Sequence, residues 1–289
     1  MPFHQPVLVD EVLALLKVKP GLTYVDATVG NGGHTLEILK QGGIVYGLDQ
    51  DPDSLEIATN RLSAQGFSSR FYPINANFNQ LDSLIGTKIP KDIHGLLFDL
   101  GLNSGQQKSL GRGFSFNDQI SLDMRLDPAT QSLTAEEIIN TYSFDELYEI
   151  FSKLAQEKHS KPLAIRIISQ RQHQPIKSGQ KLGNLIRQYY FEHHLKTTID
   201  PATKIFMALR IVVNYELENL KTALKNTLNL NSPCTVVVIS FNSGEDRIVK
   251  QFIRHNFPNT SNKAIFPSPA EILKNPLSRS AVLRSYKII

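Results

Sequence analysis

The stretch Thr23-Tyr-Val-Asp-Ala-Thr-Val-Gly-Asn-Gly-Gly-His34 decides the fold, together with the later apolar run Ile44-Val-Tyr-Gly-Leu-Asp49. A short apolar segment leads into a glycine cluster, a helical pattern follows, and the second apolar segment ends on a carboxylate. This order is typical of a strand–loop–helix–strand unit that binds a nucleoside. We expect Asp49, at the end of the second strand, to accept hydrogen bonds from both hydroxyls of a ribose.

The glycine loop favours one class of nucleoside over another. Gly30, Gly32 and Gly33 leave no Cβ between the backbone and a ligand, although glycine-rich turns also serve as plain connections from strand to helix. Their spacing departs from G-x-G-x-x-G, and no Lys-Ser/Thr pair follows as in a phosphate-binding loop. The acidic Asp26 just before the loop suits a cationic ligand better than a pyrophosphate. We therefore expect S-adenosylmethionine, with its sulfonium and ammonium groups, rather than a dinucleotide.

The composition of the chain excludes several classes of protein. Its 289 residues, 41% of them hydrophobic, suffice for one large α/β domain or a domain with an insertion. The single cysteine, Cys234, rules out an intramolecular disulfide and a cysteine-rich zinc site, and we assign no metal site. No apolar stretch is long enough to span a bilayer and the N-terminus lacks a signal core, which predicts a cytoplasmic protein without a membrane partner. The net charge of +4 is compatible with a nucleic-acid partner.

Strand-like and helix-like patterns alternate through the first hundred residues and return near the C-terminus. The predicted strands of a parallel sheet are 24–27, 44–48, 70–76, 95–100 and 235–241. The last two strand-like runs, 263–266 and 281–288, suit a hairpin-like edge. One long helix is predicted from Ala202 to about Asn229, because apolar residues recur there every three or four positions.

The strand signals stop in the middle of the chain, where helical patterns dominate from about residue 106 to residue 200. We therefore predict an α/β fold in which a Rossmann-like sheet domain is interrupted by an inserted all-helical subdomain. The sheet domain comprises residues 1–106 and 201–289, and the helical subdomain comprises residues 107–200. Ligands of such a sheet bind at the carboxyl ends of its strands.

The fourth predicted strand leads into a carboxylate and an amide, Asp99 and Asn103, beside the glycine loop. Methyl transfer from a sulfonium is an in-line displacement, so the enzyme has to position the nucleophile. If the nucleophile is an exocyclic amine of a base, its lone pair is delocalised into the ring. Asp99 or Asn103 can accept hydrogen bonds from this amine, localise the lone pair and take up a proton. The alternative is that Asp99 is an ordinary cap at a strand end.

Candidate contacts to RNA follow in a glycine-flanked loop and at two later strand ends. The loop holds arginines that suit phosphates and phenylalanines that suit stacking on unpaired bases, namely Arg112, Phe114, Phe116 and Arg125. Alternatively, the two phenylalanines only fix the loop to the core. Arg247 and Arg279 fit phosphate contacts, although polar runs at strand ends are usually caps.

Motifs spread along nearly the whole chain point to one known family. They are Asp26-Ala-Thr-Val-Gly-Asn-Gly-Gly-His34, Asp49-Gln-Asp-Pro52, Asp99-Leu-Gly-Leu102, Arg112-Gly-Phe-Ser-Phe116, Leu122-Asp-Met-Arg125, Ala208-Leu-Arg-Ile-Val-Val-Asn214, Glu245-Asp-Arg-Ile-Val-Lys250, and Asn275-Pro276 with Ser278-Arg-Ser-Ala281. Together these segments closely resemble the ribosomal small-subunit methyltransferase H family, also called MraW. Several such motifs in order are far more specific than a glycine loop alone.

The resemblance implies a Rossmann-like S-adenosylmethionine-dependent methyltransferase domain with an inserted helical domain. It implies methylation of the N4 amine of a cytidine in 16S ribosomal RNA, with the RNA inside the small ribosomal subunit as partner and the inserted domain in RNA recognition. The cofactor contacts that it implies are Gly32, Gly33, His34, Asp49, Phe78, Asp99 and Gln106. Phe78 carries no signal of its own, and only the resemblance selects it.

Other interpretations stay open at this point. The chain departs from the family pattern at Asn103, Ala155 and Asn242, which puts details of substrate placement in question. A nucleoside pocket also suits a methyltransferase for DNA or a small molecule, or an RNA-binding ribosome-assembly factor that performs no chemistry. The sequence leaves open whether the substrate is free RNA or an assembled subunit, and whether the protein is a monomer or a homodimer.

Overall fold

A computed structural model describes residues 5–102, 105–106, 111–260 and 262–289. The chain divides into two compact units, a sheet unit of residues 1–103 and 217–289 and a helical unit of residues 104–216. The helical unit extends beyond the predicted insertion at both ends. The larger difference is at its C-terminal end, because it includes the helix that begins at Ala202.

The sheet unit is built on one six-stranded sheet. Its strands are β1 (Thr23–Asp26), β2 (Ile44–Asp49), β3 (Phe71–Asn75), β4 (Gly95–Asp99), β5 (Cys234–Ser240) and β6 (Val282–Ile288). They lie in the order β3-β2-β1-β4-β5-β6, and all neighbours are parallel except β5 and β6. This confirms the predicted α/β class. The chain winds outward from β1 to β3 and then crosses back to β4, so the carboxyl ends of β1 and β4 flank the crevice where such sheets bind ligands.

Helices cover both faces of the sheet and make up the helical unit. In the described residues they are α1 (Val9–Leu16), α2 (Gly33–Lys40), α3 (Pro52–Ala64), α4 (Leu81–Leu84), α5 (Ala135–Thr141), α6 (Phe144–Glu149), α7 (Ser160–His173), α8 (Gly179–Glu192), α9 (Ala202–Val213), α10 (Glu216–Asn226), α11 (Ser243–Asn256) and α12 (Pro269–Lys274). Alternate strand residues point to opposite faces. Val25 and Phe98 pack with α4, α10 and α11 on one face, while Tyr24 and Leu97 pack with α1, α2 and α3 on the other.

The long helix predicted from Ala202 is in fact two helices. It ends at Val213, and Tyr215 has a φ of 52°, which a continuous right-handed helix does not allow. The buried Asn214 side chain turns away to donate to the carbonyl of Met124 at 2.8 Å and to accept from the backbone nitrogen of Leu126 at 2.9 Å. The apolar periodicity therefore runs through the break, and the tertiary role of Asn214 decides where the helix ends.

The predicted strand at 263–266 was also wrong. This segment makes only a single bridge, between Ile265 and Leu283 of β6, so β6 pairs along its length with β5 alone. Four apolar or β-prone residues are too short a run to distinguish a strand from an extended connection.

The helical unit has its own core, and its described residues contain no β-strand. Helix α9 packs against α5, α8 and a π-helical turn at Ile150–Leu154, burying Ile205, Phe206 and Leu209. Ser143 begins α6 with a capping box closed by Glu146. In the part of the chain that the structure describes, no helix is both long and apolar enough to cross a bilayer.

Candidate active site

Three aspartates meet at the carboxyl ends of β1, β2 and β4. The register places Asp26 of β1 opposite Gly47 of β2 and Leu97 of β4. Asp49 and Asp99 therefore each lie two residues beyond the level of Asp26, one on either side of the chain that leaves β1. The backbone nitrogen of Asp99 donates to the hydroxyl of Thr28 at 2.6 Å, and this hydrogen bond holds the chain that leaves β1 against the end of β4.

Asp49 is already held by the glycine loop. One of its oxygens accepts from the backbone nitrogen of Gly30 at 2.8 Å, and the other accepts from that of Asp51 at 2.9 Å. Each oxygen of a carboxylate has two acceptor positions, so both keep capacity for a further donor. Burial raises the pKa of Asp49 to about 7, with a smaller contribution from the charges of Asp51 and Asp26, although the two backbone hydrogen bonds oppose the rise.

Asp26 supports the loop rather than facing a ligand directly. It is buried, and it accepts from the hydroxyl of Thr35 in α2 at 2.6 Å and from the backbone nitrogen of Thr28 at 3.2 Å. Burial raises its pKa, although these hydrogen bonds and His34 act in the opposite direction. Asp26 thus ties the end of β1 to the first turn of α2, and the glycine loop between them is fixed at both sides.

His34, in the first turn of α2, and Asp99, at the end of β4, form a close pair. Nε2 of the buried His34 lies 3.4 Å from Oδ2 of Asp99, which is partly exposed. Within the described residues, three buried atoms of this pair lack a hydrogen-bond partner. They are both ring nitrogens of His34 and Oδ1 of Asp99. Burial alone lowers the pKa of His34, but Asp99 and the charges of Asp26 and Glu271 outweigh it and raise that pKa above its usual range.

Comparisons with known proteins fit this arrangement. A family model described as the MraW methylase family matches residues 1–289. The chain belongs to the MraW methylase family. The ribosomal RNA small subunit methyltransferase H of Sulfurihydrogenibium sp. strain YO3AOP1 is 39% identical over 289 residues, which cover 97% of each chain. The protein of the same name from Persephonella marina is 38% identical over 294 residues and 99% of each chain.

Membership of the MraW methylase family confirms the resemblance that the sequence motifs indicated. The chain is a methyltransferase, and S-adenosylmethionine is its cofactor. The residues of the sheet unit fit this molecule. Buried polar groups normally have partners, yet His34 and Asp99, which lie 3.4 Å apart, both have buried atoms without one among the described residues, and the carboxylate of Asp49 can accept from a ribose. Carboxylates around a small polar site suit a ligand that carries positive charge.

Two further predicted contacts of the MraW fold lie in the same unit. Gly32 has a φ of 76°, and a Cβ there would lie 3.4 Å from Ala58 and Leu62, so the loop runs close over α3. Phe78 follows β3 and is partly exposed, and its ring meets that of the buried Phe98 edge to face at 5.8 Å between centroids. This contact with the core fixes the orientation of the Phe78 ring. The adenine contact assigned to it stays a prediction.

Two predicted residues cannot be related to this site. Gln106 belongs to the helical unit, where its side chain is buried, and its cofactor contact stays a prediction. Asn103, the second candidate acceptor for the amine, lies outside the described residues.

The arginines predicted to bind RNA are engaged inside their own loop. Arg125 forms a two-pronged ion pair with Asp123, with both distances 2.7 Å, and donates to the carbonyl of Gln131 at 2.8 Å. Arg112 donates to the carbonyl of Leu126 at 3.0 Å and lies over the ring of Phe114, 5.3 Å from its centroid. These contacts favour a structural role for both guanidinium groups, and contact with RNA stays a prediction for them.

The two phenylalanines of this loop fit the alternative in which they fix it to the core. Phe114 is buried. Phe116 meets Phe206 of α9 edge to face at 5.9 Å, and the guanidinium of Arg187 lies over its ring. Stacking of either ring on an RNA base stays a prediction.

The loop is organised around the carboxylate of Asp118. Its oxygens accept from the backbone nitrogens of Gly111, Gly113, Ile120 and Ser121, at 2.7 to 3.2 Å. Burial raises the pKa of Asp118, but these four donors outweigh it and hold that pKa below its usual range. The loop is therefore a closed turn, and its conformation depends on the glycines that donate to Asp118.

We expect Gly113→Ala to lower the free energy of unfolding by about 2 to 5 kcal/mol, the sum of a left-handed backbone and a steric clash. Gly113 has a φ of 76°, and a Cβ there would collide with the backbone nitrogen of Asp123 and lie 2.7 Å from Cα of Leu122. Gly111→Ala is the matched control, because Gly111 has a φ of 87° but open space around it. Urea unfolding of both variants measures the difference, and equal losses would contradict a clash at Gly113.

The arginines near the later strand ends differ in exposure. Arg247 on α11 and Arg279 in the turn after α12 are both exposed, and phosphate contact stays a prediction for them. Arg284 of β6, in contrast, is buried and bridges Asp246 of α11 at 2.7 Å and the carbonyl of Asn262 at 2.7 Å. Arg284 therefore joins the last strand to α11.

Two departures from the MraW pattern have structural roles. Asn242 is the N-cap of α11, and its side chain accepts from the backbone nitrogens of Gly244 and Glu245 at 3.0 Å. Glu245 returns the contact by accepting from the backbone nitrogen of Asn242 at 3.4 Å, which closes a capping box, and it also accepts from that of Phe241 at 2.8 Å. Ala155 is buried at the end of the π-helical turn. Both positions lie in well-packed backbone, so neither departure disturbs the local fold.

Proposed function

We propose that this MraW family member transfers a methyl group from S-adenosylmethionine to the exocyclic N4 amine of a cytidine in 16S ribosomal RNA, in the cytoplasm and within the small ribosomal subunit. The curated relatives bear the name ribosomal RNA small subunit methyltransferase H, which supports small-subunit rRNA as the substrate class. The observation that carries the choice of an amine is the carboxylate of Asp99, which lies partly exposed at the carboxyl end of β4.

Each residue of the site has a distinct task in this proposal. Asp49 would hold the ribose hydroxyls, and the ring of Phe78 would lie against the adenine. When bound, S-adenosylmethionine supplies an electrophilic methyl group on a sulfonium sulfur. Asp99 would accept a hydrogen bond from the amine, which localises the nitrogen lone pair, and would take up the proton that the amine loses.

His34 is well placed to keep Asp99 ready for that task. Its Nε2 is 3.4 Å from Oδ2 of Asp99, so a protonated imidazole would orient the carboxylate. The Asp99 side chain is partly exposed, so its carboxylate stays accessible to the amine. An ionised carboxylate is a better acceptor and a better base than a protonated one, which is why the pair supports proton removal from an amine.

The proposal is tested with purified protein, methyl-labelled S-adenosylmethionine and three acceptors: small ribosomal subunits from a strain that lacks the modification, naked 16S rRNA, and DNA. Nucleosides of each acceptor are then separated by mass spectrometry. We expect N4-methylcytidine in ribosomal RNA and no label in DNA. Label in DNA alone, or in an rRNA nucleoside other than cytidine, would contradict the proposal.

We expect binding of S-adenosylhomocysteine to weaken as the pH falls below about 7, by up to tenfold per pH unit. The pKa of Asp49 is raised to about 7 in the free protein, whereas hydrogen bonds from a ribose favour the ionised carboxylate. Binding near neutral pH should therefore release a proton. Calorimetric titration in two buffers of different ionisation enthalpy, between about pH 5.5 and 8.5, measures both effects.

The control for this pH dependence is Asp49→Asn, which removes the titrating group, and His34→Gln separates any contribution from the imidazole. A pH profile that survives unchanged in Asp49→Asn would contradict the assignment. The same shift has a consequence for the free protein. An unfolded aspartate ionises near its usual pKa of about 3.9, while folded Asp49 stays protonated up to about 7, so stability falls as the pH rises between these values.

A further inference from the structure

The charges of the helical unit are segregated along its sequence. Between residues 117 and 157 there are nine acidic residues and only two basic ones, whereas residues 158–196 contain eight lysines and arginines and a single acidic residue, Glu192. The second segment forms α7 and α8, which pack against each other. One part of the helical unit is therefore strongly basic although the unit as a whole is nearly balanced.

The start of α7 and the end of α8 come together into one patch. Its members are Lys158, Lys161, Tyr190, Phe191, His193 and Lys196, which we call the α7–α8 patch. The ring of His159, the N-cap of α7, lies 5.6 Å from that of Tyr190, and the ring of Tyr189 lies 4.2 Å from that of His193. The hydroxyl of Tyr190 donates to Glu157 at 2.7 Å. These contacts fix the two helix ends side by side.

The patch combines an exposed aromatic ring with exposed cations. Phe191 is 80% exposed, which is unusual for a phenylalanine on an amphipathic helix whose other apolar residues are buried or half-buried. Lys158, Lys161 and Lys196 are exposed, and within the described residues their ammonium groups have no ion-pair partner.

The nearby carboxylates are already engaged. Glu157 is buried and accepts from Tyr190 and from the backbone nitrogen of His159, while Glu192 is paired with Arg166 at 2.5 Å and accepts from Gln188 at 2.8 Å. The lysines of the α7–α8 patch therefore keep their charge available to a partner in solution.

We propose that the α7–α8 patch binds an unpaired segment of the RNA substrate, with Phe191 stacking on a base and the three lysines contacting phosphates. This inference rests on the proposed function for its RNA partner and deepens it by naming the surface. An exposed aromatic ring surrounded by cations is the combination by which proteins bind single strands. The guanidinium groups of Arg112 and Arg125 are engaged within their own loop, whereas the patch lysines have no ion-pair partner among the described residues.

The test measures binding of a short, unstructured, fluorescently labelled RNA and of an RNA duplex of equal length, between about 50 and 300 mM salt. Three full-length variants are compared with the parent. The first is Phe191→Ala. The second replaces the patch lysines by glutamine, as Lys158→Gln/Lys161→Gln/Lys196→Gln. The third is the matched control, Lys177→Gln/Lys181→Gln/Lys204→Gln, which removes three exposed lysines from elsewhere in the helical unit.

The two kinds of patch variant should have different signatures. Losing three phosphate contacts should make the slope of log affinity against log salt shallower by about 2, because each contact to a single strand contributes about 0.7. Phe191→Ala should weaken binding of the single strand by about 5- to 100-fold with an unchanged slope, and should not affect the duplex. The control triple variant should keep the slope of the parent.

Any of four outcomes would overturn the inference. Patch variants that bind the unstructured RNA like the parent would exclude the surface, and an equal loss in the control variant would reduce it to a general effect of charge. Binding to an acidic peptide instead of RNA, lost in the patch variants, would assign the surface to a protein partner. Failure of the proposed function would be recognised separately, because the parent would then methylate no ribosomal RNA. If the parent methylates ribosomal RNA and the patch variants do so with the same KM, only the assignment of RNA binding to the α7–α8 patch is refuted.

Discussion

Asp99→Asn should lower the turnover number for methyl transfer to ribosomal RNA by about 10²- to 10⁴-fold, the usual contribution of a positioned general base. The substitution keeps the size of the side chain and one oxygen acceptor, but an amide cannot take up the proton of the amine. Its effect on the fold should be small, because the backbone nitrogen of Asp99, rather than its carboxylate, makes the hydrogen bond to Thr28.

Single-turnover methyl transfer at saturating cofactor and RNA measures this effect apart from binding. The affinity for S-adenosylhomocysteine should change by less than about tenfold, since the carboxylate makes at most one polar contact there. Asp92→Asn is the matched control, because Asp92 is an exposed aspartate in the connection before β4. Asp99→Asn with the turnover of the parent would remove Asp99 from the chemistry, and a variant that fails to bind cofactor would make it a binding residue.

Asp49→Ala should raise the dissociation constant for S-adenosylhomocysteine by about 100-fold or more. Two hydrogen bonds to a charged acceptor contribute about 1.5 to 3 kcal/mol each, and the substitution removes both. It also releases the backbone nitrogens of Gly30 and Asp51, which Asp49 now holds at 2.8 and 2.9 Å, so the glycine loop loses its anchor. Asp49→Asn should have a smaller effect because it keeps one acceptor.

Calorimetry of S-adenosylhomocysteine binding at pH 8 gives the affinities of both Asp49 variants. Their turnover at saturating cofactor should stay within a few-fold of the parent, which separates Asp49 from Asp99. A dissociation constant unchanged in Asp49→Ala would contradict the ribose contact. Comparison with Asp92→Asn again controls for the loss of one negative charge.

The sheet and two of its aspartates could be predicted because short-range patterns determine them. The apolar runs that become β1, β2 and β4 are bounded by glycine and acidic residues, and parallel strands bring their carboxyl ends to one edge. Asp49 and Asp99 are therefore predictable from their position at strand ends. The pairing of His34 with Asp99 is not, since it depends on the close approach of α2 to β4 across the loop.

Features that depend on tertiary contacts could not be predicted from the sequence. The break after Val213 follows from the hydrogen bonds of Asn214 to a distant loop, and nothing in the apolar periodicity marks it. Phe78 begins a single 3-10 turn after β3, and no sequence pattern selects it. The start of α11 is different, because Asn242-Ser-Gly-Glu245 is a capping box that the sequence alone reveals.

Contact with RNA stays a prediction for the arginines of the glycine-flanked loop. Arg112 and Arg125 were chosen because arginines and phenylalanines alternate in a glycine-flanked loop, but Asp123 and several carbonyl groups of the same loop satisfy them. Phe191 was not among the predicted RNA contacts, although it occupies an exposed position of α8 where a polar residue is expected. An aromatic residue on the polar face of a helix was the signal that could have identified the α7–α8 patch.

The central claim is that Asp99 of this MraW methylase directs methylation of a cytidine N4 amine in 16S ribosomal RNA. The most direct measurement is mass mapping of 16S rRNA from a strain that lacks the gene, complemented either with the parent protein or with Asp99→Asn at equal expression. We expect one cytidine of 16S rRNA to regain its N4 methyl group with the parent protein and not with Asp99→Asn. A methylation pattern unchanged by the parent, or fully restored by Asp99→Asn, would contradict it.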